Sequence, residues 1–241
     1  MFEASEEGTP QGGPLSPLLS NIMLNELDKE LTSRGLPFVR YADDSMIFSK
    51  SKRAAKRVKE SVTRFIEGKL HLKVNRDKTV VSYVQGVKYL GYSFYVMKGK
   101  CQLTVHPKAK SKMKAKLKEL TSRSNGWGYA KRKQKLEEYI KGWVGYYHLA
   151  NMKRFLIEMD EWLRRRLRMC IWKSWKRVKT KVANLVKCGI DKYQAYLWGN
   201  SRLGYWRIAG SYILSRAITN EKLSMAGYAT LMGSYIEWHP K

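Results

Sequence analysis

Asp43 and Asp44 stand side by side within Phe38-Val39-Arg40-Tyr41-Ala42-Asp43-Asp44-Ser45-Met46-Ile47-Phe48, an otherwise apolar, strand-prone stretch. A charge buried in such a setting is costly unless a partner meets it. On a tight turn, however, two carboxylates offer hard oxygen donors that suit a divalent cation such as Mg2+, at a site open to substrate phosphates. The competing reading is an ordinary exposed β-turn, where aspartate is common. Other chemistry-bearing residue types are less suggestive. His71, His106, His148 and His239 are scattered without metal-ligand spacing. Cys101, Cys170 and Cys188 form neither a C-x-x-C pair nor an even-numbered framework, and read as core thiols.

The rest of the chain carries the opposite charge. Formal net charge is +27, from 47 Lys and Arg against 20 Asp and Glu, which calls for a polyanionic partner and points to nucleic acid. The excess is uneven: residues 1–100 hold 17 basic and 11 acidic side chains, residues 101–241 hold 30 and 9. All eight tryptophans also fall in the second part, from Trp127 to Trp238, so a domain boundary is expected near Gly99 to Pro107. With 44% apolar residues the chain is long enough for one sizeable core or two smaller ones. No run of some 18 apolar residues and no signal peptide is evident, so a membrane span is not expected and the cytoplasm is the expected location.

The elements that must position the carboxylates read as α+β. Ser16-Pro17 looks like an N-cap followed by proline, opening a helix with Leu19, Ile22, Leu24, Leu27 and Leu31 on its apolar stripe and Gly35 at its end. Residues 38–48 read as a β-hairpin with Asp43 and Asp44 in its turn. A second, amphipathic helix spans Ser51 to Gly68, with a basic outer side. Leu70 to Val74 alternates like a strand, and Val87 to Val96 reads as another, with Gly91 marking a kink or a close backbone approach. Beyond residue 100 the pattern is helical: a lysine-dense helix over Lys108 to Thr121, then a long one from about Met152 to Val182 whose tryptophans read as core. The polar side of that long helix carries Arg164, Arg165, Arg166, Arg168, Lys173, Lys176 and Arg177, a candidate phosphate-binding face; a merely solvated face is the alternative.

Tyr41-Ala42-Asp43-Asp44, about thirty residues after Gly8-Thr9-Pro10-Gln11-Gly12-Gly13-Pro14-Leu15-Ser16-Pro17-Leu18-Leu19-Ser20-Asn21, resembles the palm of reverse transcriptases, most closely those encoded by bacterial group II introns. Leu72-Lys73-Val74-Asn75-Arg76-Asp77-Lys78-Thr79 and Tyr89-Leu90-Gly91-Tyr92 are similar to later motifs of the same family. From about Lys108 onward the basic, Trp-rich region resembles the thumb and the maturase-specific domain X. The resemblance implies a partial reverse-transcriptase palm over 1–100 and a helical thumb and RNA-binding region over 101–241.

It also implies site roles. Asp43 would be a ligand of catalytic Mg2+ and Asp44 the second carboxylate of the pair, with Tyr41 and Ala42 flanking the primer end. Gln11 and Gly12 would contact the incoming nucleotide and its template base. Asn21 is a weaker candidate, since it could simply hydrogen-bond within the fold. Lys78 would lie near the pyrophosphate leaving group, where an ammonium stabilises charge or donates a proton. The reaction implied is in-line attack of a primer 3′-hydroxyl on a deoxynucleoside triphosphate at a two-Mg2+ site, templated by RNA. The family draws a third aspartate and its fingers from well upstream, so a partner chain supplying them is an expectation. The alternative is a non-catalytic maturase module that binds group II intron RNA and assists splicing.

Overall fold

The computed structural model describes residues 13–240, and Gln11 and Gly12 lie outside the described residues. The fold is α+β and divides into two units, up to Tyr89 and from Leu90 onward.

In the first unit, α1 (Ser16–Ser33) starts one residue earlier than expected, with Leu15 in the cap position and Pro17 in the first turn. Gly35 ends it as anticipated, at φ +62°, with its N–H on the Thr32 carbonyl. β1 (Phe38–Tyr41) and β2 (Asp44–Ile47) form an antiparallel hairpin in which Tyr41 faces Asp44. Then α2 (Lys52–Gly68) opens on Ser51, whose hydroxyl accepts the Ala54 N–H at 3.2 Å. The small core consists of Leu27, Leu31, Val62 and Leu70, with Val58, Phe65, Ile66 and Leu72 packed against it.

The expected strand at Leu70 to Val74 is absent. Leu70 and Leu72 instead donate their N–H groups to the Phe65 and Ile66 carbonyls, and His71 takes φ +54°. Their alternation reflects a segment folding back over the end of α2 and dropping Leu70 and Leu72 onto its core without a ladder. The unit closes with the two-residue strand β3 (Lys88–Tyr89).

The second unit begins where Leu90 and Gly91, at φ +48° and +81°, break what the sequence suggested was one strand. β4 (Tyr92–Met97) and β5 (Lys100–Val105) form a hairpin around Lys98 and Gly99, both with positive φ, as a two-residue turn of type I′ requires. β5 was unforeseen, because Gly99 read as a boundary.

Among the described residues a series of helices follows: α3 (Pro107–Leu120), α4 (Tyr129–Tyr147), α5 (Lys153–Ser174), α6 (Val178–Lys187) and α7 (Lys192–Gly199), then the short α8 (Tyr205–Ala209) and α9 (Tyr212–Ala217). Two further short helices, α10 (Asn220–Met225) and α11 (Leu231–Glu237), complete the series. The single helix expected from Met152 to Val182 is thus two. Lys181 lies 4.6 Å over the Trp172 ring, whereas nine residues of continuous helix would separate them by about 13 Å along the axis. Packing of this kind requires the break at Trp175 to Arg177. One core, running from Val105 to Tyr235, joins the helices, with Met113, Leu117, Ile140, Leu156 and Trp172 fully enclosed. Among the described residues no helix is long and apolar enough to cross a membrane.

Candidate catalytic turn and candidate nucleic-acid interface

Asp43 and Asp44 are both exposed at the hairpin turn, where the β-propensity of the flanking runs gives way to turn residues. Tyr41, 65% exposed, precedes them. Ala42 takes φ +52°, a left-handed conformation that costs a residue bearing a Cβ on the order of 1 kcal/mol. Arg40 holds that conformation in place. Its Nη1 donates to the Ala42 carbonyl at 2.9 Å and to Asn21 Oδ1 at 3.0 Å. Its Nε donates to Asp28 Oδ1 at 2.8 Å, and its Nη2 to Asp28 Oδ2 at 2.6 Å. One guanidinium therefore clamps the strained turn to α1, and its hydrogen bonds to Asp28 raise its own pKa.

Arg40 and Asp28 are residues that the sequence reading missed. The signal was present: Arg40 shares the inward parity of Phe38 on β1, and a cation there demands a partner. Asn21 serves the fold, as its side chain accepts from Arg40. Tyr89 also reaches the turn, its hydroxyl donating to the Asp44 carbonyl at 3.5 Å, and burial raises that phenol's pKa, aided by Asp44. Lys78 is exposed on a turn, its backbone N–H capped by Asn75 Oδ1 at 3.1 Å.

The donor chemistry of the pair suits a hard cation. Among the described residues, however, no group of three or more Asp, Glu, His or Cys side chains converges. Two carboxylates on one turn fall short of bridging two metal ions.

The cations of α5 divide sharply. Arg166 is buried, donating from Nε to Thr121 Oγ1 at 2.5 Å and from Nη2 to the Lys118 and Thr121 carbonyls at 3.0 Å each. It is a tie to the end of α3 and is removed from the candidate phosphate-binding set. Its position could have warned of this, since residue 166 falls between Leu163 and Cys170 on the inward stripe. Arg168 is half-buried, donating to the Ile218 carbonyl at 2.8 Å and to Asn220 Oδ1 at 2.9 Å, and burial lowers its pKa. Arg164, half-buried, lies near Asp160 and Glu221; the Glu221 carboxyl is held low first by the Thr219 hydroxyl and then by Arg164 and Arg168. Arg165 donates to the Trp206 carbonyl at 2.9 Å. That leaves Lys173, Lys176 and Arg177 exposed at the end of α5 and in the break before α6. Lysines of α3 add to this face: Lys110 and Lys114 lie 4.8 and 5.6 Å over the Phe155 and Trp162 rings of α5.

Residues 2–94 match the family model described as reverse transcriptase (RNA-dependent DNA polymerase), and residues 110–189 match that of the group II intron, maturase-specific domain. Protein YkfC of Escherichia coli (strain K12) is 34% identical over 38% of this chain and 33% of its own length. Group II intron-encoded protein LtrA of Lactococcus lactis subsp. cremoris is 28% identical over 39% of this chain and 27% of its own. The chain thus spans about a third or less of the length of these curated relatives. It joins a segment of the reverse transcriptase family to a segment of the group II intron maturase-specific family, in the order that its two units follow.

Proposed function

We propose that this chain acts as the RNA-gripping, maturase part of a group II intron reverse transcriptase/maturase, binding structured intron RNA and assisting its splicing. The observation that carries this is the second unit: an extensive core of its own beneath a surface where Lys173, Lys176, Arg177 and the α3 residue Lys114 are exposed. Such a surface neutralises phosphates and yields a steep salt dependence. The test is splicing of a group II intron RNA at limiting Mg2+ with and without the full chain. Stimulation that disappears when Lys173, Lys176 and Arg177 are reversed in charge supports the proposal, and the absence of both binding and stimulation overturns it.

A second function, templated DNA synthesis from RNA, is favoured by the clamped turn. Asp43 and Asp44 would hold Mg2+ there, and that ion would supply charge neutralisation at the primer end. Tyr41 and Ala42 would flank the primer, Gln11 and Gly12 would meet the deoxynucleoside triphosphate, and Lys78 would serve the leaving group. A third carboxylate would come from polypeptide outside the described residues, whether of this chain or of a partner. The cap and first half of α1 support such an addition, because Leu15, Leu18, Leu19, Ile22 and Met23 are exposed while Leu27 and Leu31 further along are buried. Primer extension with a polypeptide carrying the missing carboxylate should appear and be abolished by Asp43→Ala, with RNA binding intact. Extension that survives Asp43→Ala refutes the role.

A further inference from the structure

Trp206 and Tyr205 lie outside the segment matched by the maturase model and outside the cations nominated from the sequence. Trp206 is 40% exposed on α8, which packs on α5. The Arg165 guanidinium lies 4.1 Å from the Trp206 ring centroid and is fixed there by bonds to the Trp206 carbonyl of 2.9 and 3.3 Å. Gly210 makes the slot possible, since a Cβ at that position would collide with the guanidinium. Beside it, Arg123 and Lys173 lie 4.7 and 5.1 Å over the Tyr205 ring. Both cations are exposed, as is Arg207. No acidic residue occurs between Glu161 and Asp191, nor between Asp191 and Glu221, so the sequence around the ring is almost free of competing negative charge.

An indole with a guanidinium seated on its ring, next in sequence to a tyrosine that carries two exposed cations, has the parts of a stacking platform for unpaired bases: a π-face for the base and cations for the flanking phosphates. A core tryptophan would be enclosed, as Trp172 is at 1% exposure. A purely electrostatic surface would need no seated aromatic ring. We infer that Trp206 is a stacking site for an unpaired base of single-stranded RNA, with Arg165 orienting the ring and Arg123, Lys173 and Arg207 engaging the adjacent phosphates. The site deepens the RNA-binding function proposed above and rests on it. Because every base has a π-face, the site discriminates strandedness rather than sequence.

The test measures fluorescence anisotropy of the full chain with a labelled 12-nucleotide mixed-sequence RNA and with the blunt duplex of the same sequence, at one ionic strength. Trp206→Ala should weaken single-strand binding by roughly 5- to 150-fold while changing duplex binding by less than about 2-fold. Trp206→Phe, which keeps a π-face, should recover most of the loss. If Trp206→Ala lowers the thermal midpoint, Trp206→Leu takes its place, keeping apolar bulk without the π-face. Unchanged single-strand affinity overturns the stacking site. An equal loss for strand and duplex, not rescued by phenylalanine, also overturns it and assigns Trp206 to the fold. Failure of the unsubstituted chain to bind either RNA sinks the RNA-binding function itself.

Discussion

Replacing Arg40 should loosen the turn that carries Asp43 and Asp44, by an amount that its contacts allow to be worked out. The Arg40 and Asp28 side chains are 13% and 25% exposed and meet through two nearly parallel bonds. Exposed pairs contribute about 0.2–1 kcal/mol, so a mostly enclosed, two-pronged pair should couple by about 1–2 kcal/mol. Arg40 also bonds Asn21 and the Ala42 carbonyl, each worth about 0.5–1.5 kcal/mol net. Arg40→Ala should therefore cost about 2–5 kcal/mol locally, and Asp28→Ala less, because it leaves the bond to Ala42 intact. Tryptophan fluorescence is blind to this event, since all eight tryptophans lie at Trp127 or beyond. Amide hydrogen exchange in peptides spanning 38–48 reports it directly, and a cost of about 2 kcal/mol appears as roughly 30-fold faster exchange. Arg40→Lys should rescue little, because an ammonium cannot reproduce the fork. Equal exchange in Arg40→Ala and the unsubstituted chain, or equal effects of Arg40→Ala and Asp28→Ala, would refute the clamp.

Of four further expected outcomes, three concern buried or crowded positions and one an exposed pair. Arg166→Ala should destabilise the second unit by about 3 kcal/mol in urea unfolding followed by tryptophan fluorescence, since it strips Thr121 and two carbonyls of their buried donor. By contrast, Lys176→Glu with Arg177→Glu should leave the urea midpoint nearly unchanged and lower the salt slope of RNA binding by about 2 or more. Gly91→Ala should cost at least about 2 kcal/mol by thermal melting, because the position has φ +81° and the new Cβ would run into the Tyr147 hydroxyl. Asp160 on α5 accepts the Leu231 and Met232 N–H groups at 2.8 and 2.9 Å, yet burial, the largest influence, raises its carboxyl pKa. A carboxyl raised on folding binds its proton more tightly in the folded state, so stability falls as pH rises from about 3.9 through the raised value. The stability advantage of the unsubstituted chain over Asp160→Asn should accordingly grow as pH is lowered from 7 toward 4, measured by urea midpoints.

What could be read from the sequence was whatever short-range physics determines. Gly35 after α1, Ser51 before α2 and the paired carboxylates at a hairpin turn each follow from the preferences of a few neighbouring residues. What could not be read depended on distant partners. Leu70 to Val74 has the alternation of a strand, but its backbone N–H groups find the end of α2 rather than a neighbouring strand. The helix from Met152 has no glycine or proline at its break; the break follows from Lys181 folding back over Trp172. The cations of α5 show the same limit in functional form. Composition counts Arg166 and Lys176 alike; the inward stripe hints at the difference, and the carbonyls at the end of α3 establish Arg166 as a core tie while Lys176 stays exposed.

The two units also differ in how much holds them together, and that bears on which function each can perform. Among the described residues of the first unit only Leu27, Leu31, Val62 and Leu70 are buried apolar side chains, whereas the second unit buries more than two dozen in one cluster. Four such side chains, at about 1.5–3 kcal/mol each, oppose a far larger ordering entropy. An isolated two-stranded hairpin adds little. Local opening should thus be cheap in the first unit and expensive in the second. Native-state exchange should show the amides of α1 and the hairpin opening several kcal/mol below those of α5, at denaturant concentrations where α5 remains protected. Adding a polypeptide that covers Leu15, Leu18 and Ile22 should raise protection in α1 while leaving α5 unchanged. If α1 proves as protected as α5 in the chain alone, its exposed apolar half needs no cover, and the case for added polypeptide at the Asp43–Asp44 turn loses its structural support.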